Sequence, residues 1–238
     1  MPKIDKAKRF LLAFNNLDHS LRMQYGLKRG LPFGDVIRRC SSLNSVVRKY
    51  EEDLIDYSRL RNAIVHSSGE IVAEPTEAVA SKMEKISALV CTPPRALDSI
   101  CSRTVLCLTG KEKLKDTITV MYESGYSNLP VFNGKRILGV ANGQRIINNL
   151  GYAIYNGENI DEFVTKNTIA SMVTREENLN YYYIADENVN LETVLDKFYK
   201  NRKLLCIIIT KDGTPESKPL GIITTTDIMD INTVMENF

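Results

Sequence analysis

Tryptophan is absent from this 238-residue chain, and histidine occurs only twice, as His19 and His66. Five cysteines (Cys40, Cys91, Cys101, Cys107, Cys206) are scattered with no Cys-x-x-Cys pair. That pattern excludes a zinc-ligand set and a disulfide framework, and reads as reduced thiols in a cytoplasmic protein. Long apolar runs are missing too. The longest, Leu204 to Ile209, falls far short of the ~20 residues that span a bilayer. The opening stretch MPKIDKAKRFLLAFNN is too charged for a secretory signal. The expectation is therefore a soluble protein with no membrane partner and no metal of its own. A Gly-x-x-x-x-Gly-Lys-Ser/Thr loop is also lacking, which excludes a P-loop hydrolase.

What remains is an ordinary globular balance, 43% hydrophobic and 25% charged, enough for one large domain or two modest ones. The net charge of +2 conceals an asymmetry. Residues 1–50 hold 11 Lys and Arg against 3 Asp and Glu, leaving 20 against 26 in the other 188. A basic N-terminal face attracts polyanions such as RNA through phosphate charge. It is equally the solvated surface of a basic helix.

The first ninety residues carry helical periodicity. Phe10, Phe14, Leu17, Leu21 and Tyr25 recur at spacings of three and four, and Gly26 and Gly30-Leu-Pro32 end that stripe. A second stripe runs from Leu43 through Val46, Val47, Tyr50, Leu54 and Ile55 to His66. A third spans Glu77 to Leu89 and stops at Pro93-Pro94.

Beyond residue 92 the texture becomes strand, helix, strand, strand, twice over. Val105–Leu108, Lys115–Ser124, Leu129–Phe132 and Ile137–Val140 form the first set, with Asn133-Gly134 as a hairpin turn. At a shift of 76, Tyr181–Ile184, Leu191–Lys200 and Leu205–Ile208 repeat it. The last strand, Leu220–Ile223, matches at a shift of 82, because the turn 210–218 is six residues longer. A duplication whose only length change falls in a turn marks two copies of one structural unit.

The second copy ends Gly221-Ile-Ile-Thr224-Thr225-Thr226-Asp227-Ile228, where a strand passes into a helix. Hydroxyls and amides at a helix N-terminus favour phosphate, and the Asp227 carboxylate can accept both hydroxyls of a ribose. The same residues read equally well as a cap, with Thr224 closing the helix and Asp227 stabilising its first turn.

Together with Gly125–Phe132 and Ile137–Val140, this stretch resembles the cystathionine-β-synthase-type (CBS) domain family over residues 92–238. The resemblance implies an α+β chain: an all-α helical domain, residues 1–91, followed by a tandem CBS pair of two β-α-β-β-α units. The first motif would span residues 92–150 and the second 168–238. It implies an adenine-nucleotide cleft (AMP, ADP or ATP, ahead of S-adenosylmethionine or a cyclic dinucleotide) formed by Gly221, Thr224, Thr225 and Asp227. Thr104, Val105, Ser127, Asn128, Leu129 and Pro130 would complete it, with Val105 and Leu129 sandwiching the base. The other cleft departs from the pattern, reading Gly139-Val-Ala-Asn142-Gly-Gln-Arg145. A guanidinium has only donors and accepts no ribose hydroxyl. That cleft is expected to be empty or changed in ligand, and Arg145 could instead reach a phosphate in the intact one.

Arg61-Asn62-Ala-Ile-Val-His66 resembles the Arg-x-x-x-x-His signature of HEPN domains over residues 5–91. That resemblance implies a dimeric, metal-independent ribonuclease, with His66 as acid or base, Arg61 on the phosphate and Asn62 orienting either. Its alternative is structural: Arg61 paired with Glu51, Asp53 or Asp56, and His66 at a helix C-terminus. The chain thus reads as a nucleotide-binding regulatory homodimer. Its helical domain either cleaves RNA or serves only to dimerise or dock a partner.

Overall fold

Asp5 opens the first helix, α1 (Lys6–Gln24), by accepting the Ala7 amide at 3.1 Å. The computed structural model describes residues 5–65, 73–100, 105–173 and 180–237. Two compact units emerge. One comprises residues 1–94 with 191–196 and 233–238, and the other residues 95–190 with 197–232.

In the helical unit, α1 buries Phe10, Phe14, Leu17 and Leu21, the stripe its spacing announces. Against it lie α2 (Phe33–Ser41), α4 (Glu51–Val65) and α5 (Glu77–Cys91), and α3 (Ser45–Lys49) packs on those three. Phe10 meets Tyr57 edge-on at 5.7 Å, and Phe14 meets Phe33 at 4.4 Å. Arg9 clamps α1 to α5, donating to Glu77 at 2.6 Å and to both oxygens of Glu84 at 2.6 and 2.9 Å.

Two features differ from the sequence reading. Pro32 stands at the N-cap of α2 and starts a helix as well as ending the preceding segment. Its ring fixes φ, and the N–H it lacks would have no partner at a helix start. The second stripe is also two helices, because Tyr50 leaves helical geometry (φ −111°, ψ 21°).

The other unit opens with α6 (Ala96–Ser99) and holds two three-stranded sheets of identical plan. In the first, β1 (Leu108–Thr109) pairs parallel with β2 (Asn128–Asn133), and β2 pairs antiparallel with β3 (Arg136–Asn142). The crossover helix α7 (Leu114–Ser124) ends at Gly125, whose φ of 71° suits glycine. After α8 (Gly143–Tyr155), α9 (Ile160–Lys166) and α10 (Ile169–Val173), the plan returns. There β4 (Tyr182–Ala185), the crossover α11 (Leu191–Lys200), β5 (Cys206–Thr210) and β6 (Pro219–Thr224) repeat the parallel and antiparallel pairings. A 3-10 turn, Thr225–Asp227, leads into α12 (Ile228–Asn237).

The sheets meet through Ile137, Val140, Tyr181, Cys206 and Ile208. Every residue of β5 is buried, as a continuous apolar run requires. Ile169, Met172 and Val173 of α10 fill the core beneath the first sheet. Val105, Leu106 and Cys107 remain outside the sheet, since pairing starts only at Leu108 opposite Val131.

Candidate functional site

Where the chain leaves β6, Thr224 and Asp227 form a reciprocal cap. The Thr224 amide donates to Asp227 Oδ2 at 2.6 Å, and the Thr224 hydroxyl reaches the same oxygen at 3.0 Å. The Thr224 and Thr226 hydroxyls lie 2.7 Å apart. This end of β6 borders a cavity of about 250 Å³. Val105, Leu106, Leu129 and Ile222 supply its apolar wall, and Gly125, Tyr126, Ser127, Asn128, Thr224, Thr226 and Asp227 its polar side.

Strand geometry decides which residues of β6 take part. Side chains alternate between faces, so Ile222 and Thr224 line the cavity while Gly221 and Ile223 are buried on the opposite side. Among the residues carried over from the family pattern, Val105, Ser127, Asn128, Leu129, Thr224 and Asp227 line the cavity, and Pro130, Gly221, Thr225 and Arg145 do not. Thr104 lies outside the described residues. The sequence reading passed over Leu106, Gly125, Tyr126, Ile222 and Thr226. Alternation along β6 was the available signal for Ile222, whereas Tyr126, half exposed at 51%, carried none.

The polar floor is held from behind. Asn142, at 8% exposure, donates from Nδ2 to Asn128 Oδ1 at 2.8 Å. Its own Oδ1 accepts the Arg145 amide at 3.1 Å, capping α8. The Gly143 amide donates to the Ser127 carbonyl at 3.0 Å. Asn142 thus fixes how Asn128 presents its amide, which in turn donates to Ser127 Oγ at 3.4 Å.

Arg145 lies elsewhere, its guanidinium carbon 3.8 Å from the centre of the Tyr181 ring. In the helical unit, Arg61 Nη1 donates to Asn62 Oδ1 at 3.4 Å on the last turns of α4. Of the acidic residues expected as structural partners for Arg61 (Glu51, Asp53 and Asp56), Asp53 pairs with Lys82 and Asp56 with Arg59. His66 lies outside the described residues, and His19 is exposed. Burial pushes the Cys40 thiol up to about 11 and the Cys206 thiol up to about 12, so neither is a nucleophile at neutral pH. Among the described residues, no group of three or more His, Cys, Asp or Glu could hold a metal ion. No described helix is long and apolar enough to cross a membrane.

Comparison with known proteins places these features in context. The CBS domain family model matches residues 97–152 and 180–232. Among solved structures, CbpB in complex with c-di-AMP is 16% identical, with TM-score 0.48, covering 66% of this chain and 95% of that chain. The CBS domain of a bacterial CNNM/CorC family Mg2+ transporter in complex with ATP is 18% identical, with TM-score 0.46, covering 64% and 97%. A Methanocaldococcus jannaschii protein, a proposed archaeal homolog of g-AMPK, is 22% identical with TM-score 0.47. The match covers 62% of this chain and about half, 51%, of that one. No curated protein matches the chain.

Proposed function

We propose that this chain carries a CBS domain pair, on the match of the family model to residues 97–152 and 180–232, and that its cavity binds an adenine nucleotide as a regulatory signal. One observation carries the reading. The Thr224–Asp227 turn faces an apolar slot of Val105, Leu129 and Ile222, with Ser127 and Asn128 beside it. A purine fits between apolar walls. Asp227 spends only Oδ2 on its cap, and a carboxylate has about four acceptor positions, so ribose hydroxyls can be accepted without uncapping the turn. The threonine hydroxyls, with the amides at the start of the 3-10 turn, suit a phosphate.

Transmission to the helical unit is part of the proposal. It is supported by α12, which follows the Asp227 turn and whose residues 233–237 count with the helical unit. There Glu236 pairs with Lys49 at 3.0 Å. The proposal includes a second copy of the chain docking on the apolar face of α7 and α8, a reading supported by Tyr122 at 87% and Ile147 at 61% exposure. Light scattering should give a dimer at micromolar concentration.

Titration calorimetry with AMP, ADP, ATP and S-adenosylmethionine tests the ligand. Asp227→Ala should weaken binding about ten- to a hundredfold, the cost of about one charge-assisted hydrogen bond. Unchanged affinity would remove Asp227 from the site.

A second reading concerns RNA. Arg61 and Asn62 sit together on the last turns of α4, immediately before His66, in a region whose first 50 residues are strongly basic. A HEPN-type ribonuclease would cut RNA in EDTA, and His66→Ala would abolish cutting without touching nucleotide affinity. If wild type cuts nothing with or without AMP or ATP, the helical unit works only by docking.

A further inference from the structure

The duplication defines a second cleft by exchange of the two copies. Val140 corresponds to Ile222, and Arg145 to Asp227, at a shift of 82. Tyr181 corresponds to Val105, and Leu205 to Leu129, at a shift of 76. In the first cleft the three apolar members and Asp227 border an open cavity. Their counterparts gather around one side chain.

That side chain is Tyr181, which is 1% exposed. The Val140 amide points at its hydroxyl oxygen at 3.5 Å, and the hydroxyl in turn reaches the Val140 carbonyl at 3.4 Å. The Arg145 guanidinium covers the ring at 3.8 Å. Leu205 packs on the same cluster, and its amide donates to the Tyr181 carbonyl at 2.6 Å. Gly139 is glycine for this reason: a Cβ there would lie 3.1 Å from the Tyr181 hydroxyl oxygen. A planar aromatic ring thus lies between apolar walls, with its polar tip on a main-chain N–H and C=O. Those are the features a purine base would present to such a slot.

We propose that Tyr181 is a built-in occupant of the second cleft, standing in for a nucleotide base, with Arg145 as its cover. The pair therefore has one input per chain, the cavity above, and its other half is held permanently in a filled state. Arg145 serves this internal ligand and no phosphate. The inference rests on reading the first cavity as a nucleotide site, since the counterpart positions draw their meaning from it.

The decisive experiment compares wild type with Tyr181→Val/Arg145→Asp, which restores to the second copy the residue types of Val105 and Asp227. Equilibrium dialysis with AMP should give one nucleotide per chain for wild type and two for the variant. A folded variant that takes up no more AMP than wild type overturns the proposal. If wild type takes none and the variant one, the reading of the first cavity fails and the single input with it, while Tyr181 as occupant of the second cleft stands. Photolabelling of wild type with 8-azido-AMP decides the matter should the variant not fold. Adducts confined to residues 105–129 and 222–227 support it, and adducts in 139–145 or 203–205 overturn it.

Discussion

Asn142 donates to Asn128 at 2.8 Å, so a residue of the degenerate element holds a wall of the intact cavity. The departure from threonine at this position is thus put to use. Asn142→Asp keeps the acceptor that caps α8 and removes the donor to Asn128. Helix stability should hold, while AMP affinity drops about two- to tenfold, the worth of one neutral hydrogen bond. Calorimetry beside a thermal melt separates the two effects.

Gly139 offers a test of close packing. A Cβ there would meet Tyr181 Oη at 3.1 Å and Val173 Cβ at 3.2 Å. Overpacking of this kind costs about 1–3 kcal/mol. Gly139→Ala should therefore shift the urea midpoint down with little change in slope.

Acid should loosen the helical unit. Hydrogen bonding to Arg9 holds the Glu77 carboxyl below its usual 4.5. A depressed carboxylate contributes stability above its unfolded value and loses it as pH falls through the folded one. Wild type should lose stability more steeply below about pH 4.5 than Arg9→Gln does. Parallel curves for the two proteins would remove Arg9 from this role.

Alkali should act through Cys206, whose thiol is raised by burial from 9.0 to about 12. Its neutral form belongs to the folded state, so the stability it contributes is complete below about pH 9 and lost as pH rises towards about 12. Cys206→Val should flatten that alkaline loss in a pH series of denaturation midpoints.

Much of this organisation was legible in the chain. The duplication stands out because the segments recur at a constant shift until the turn 210–218 absorbs the six added residues, and both sheets repeat one pairing order. The stripe of Phe10, Phe14, Leu17 and Leu21 is buried as its spacing requires. Helix α2 was missed because Pro32 reads as a terminator, although the same fixed φ starts the helix that follows. Within the site, a motif names positions without assigning faces. Gly221 belongs to the pattern but looks away from the cavity, and Ile222 beside it looks in. Arg145 was read toward a phosphate from its place in the degenerate element and its guanidinium donors. Its stacking on Tyr181 joins residues 36 apart in sequence and appears only once the sheets are packed.

Hydrogen–deuterium exchange with and without AMP tests the central claim most directly, because it locates the ligand as well as detecting it. A nucleotide in the cavity should slow exchange in residues 125–129 and 222–228 and leave the amides around Tyr181 unchanged. Protection centred on 139–145 and 181–205, or no protection anywhere at saturating AMP, ADP, ATP and S-adenosylmethionine, would contradict the account.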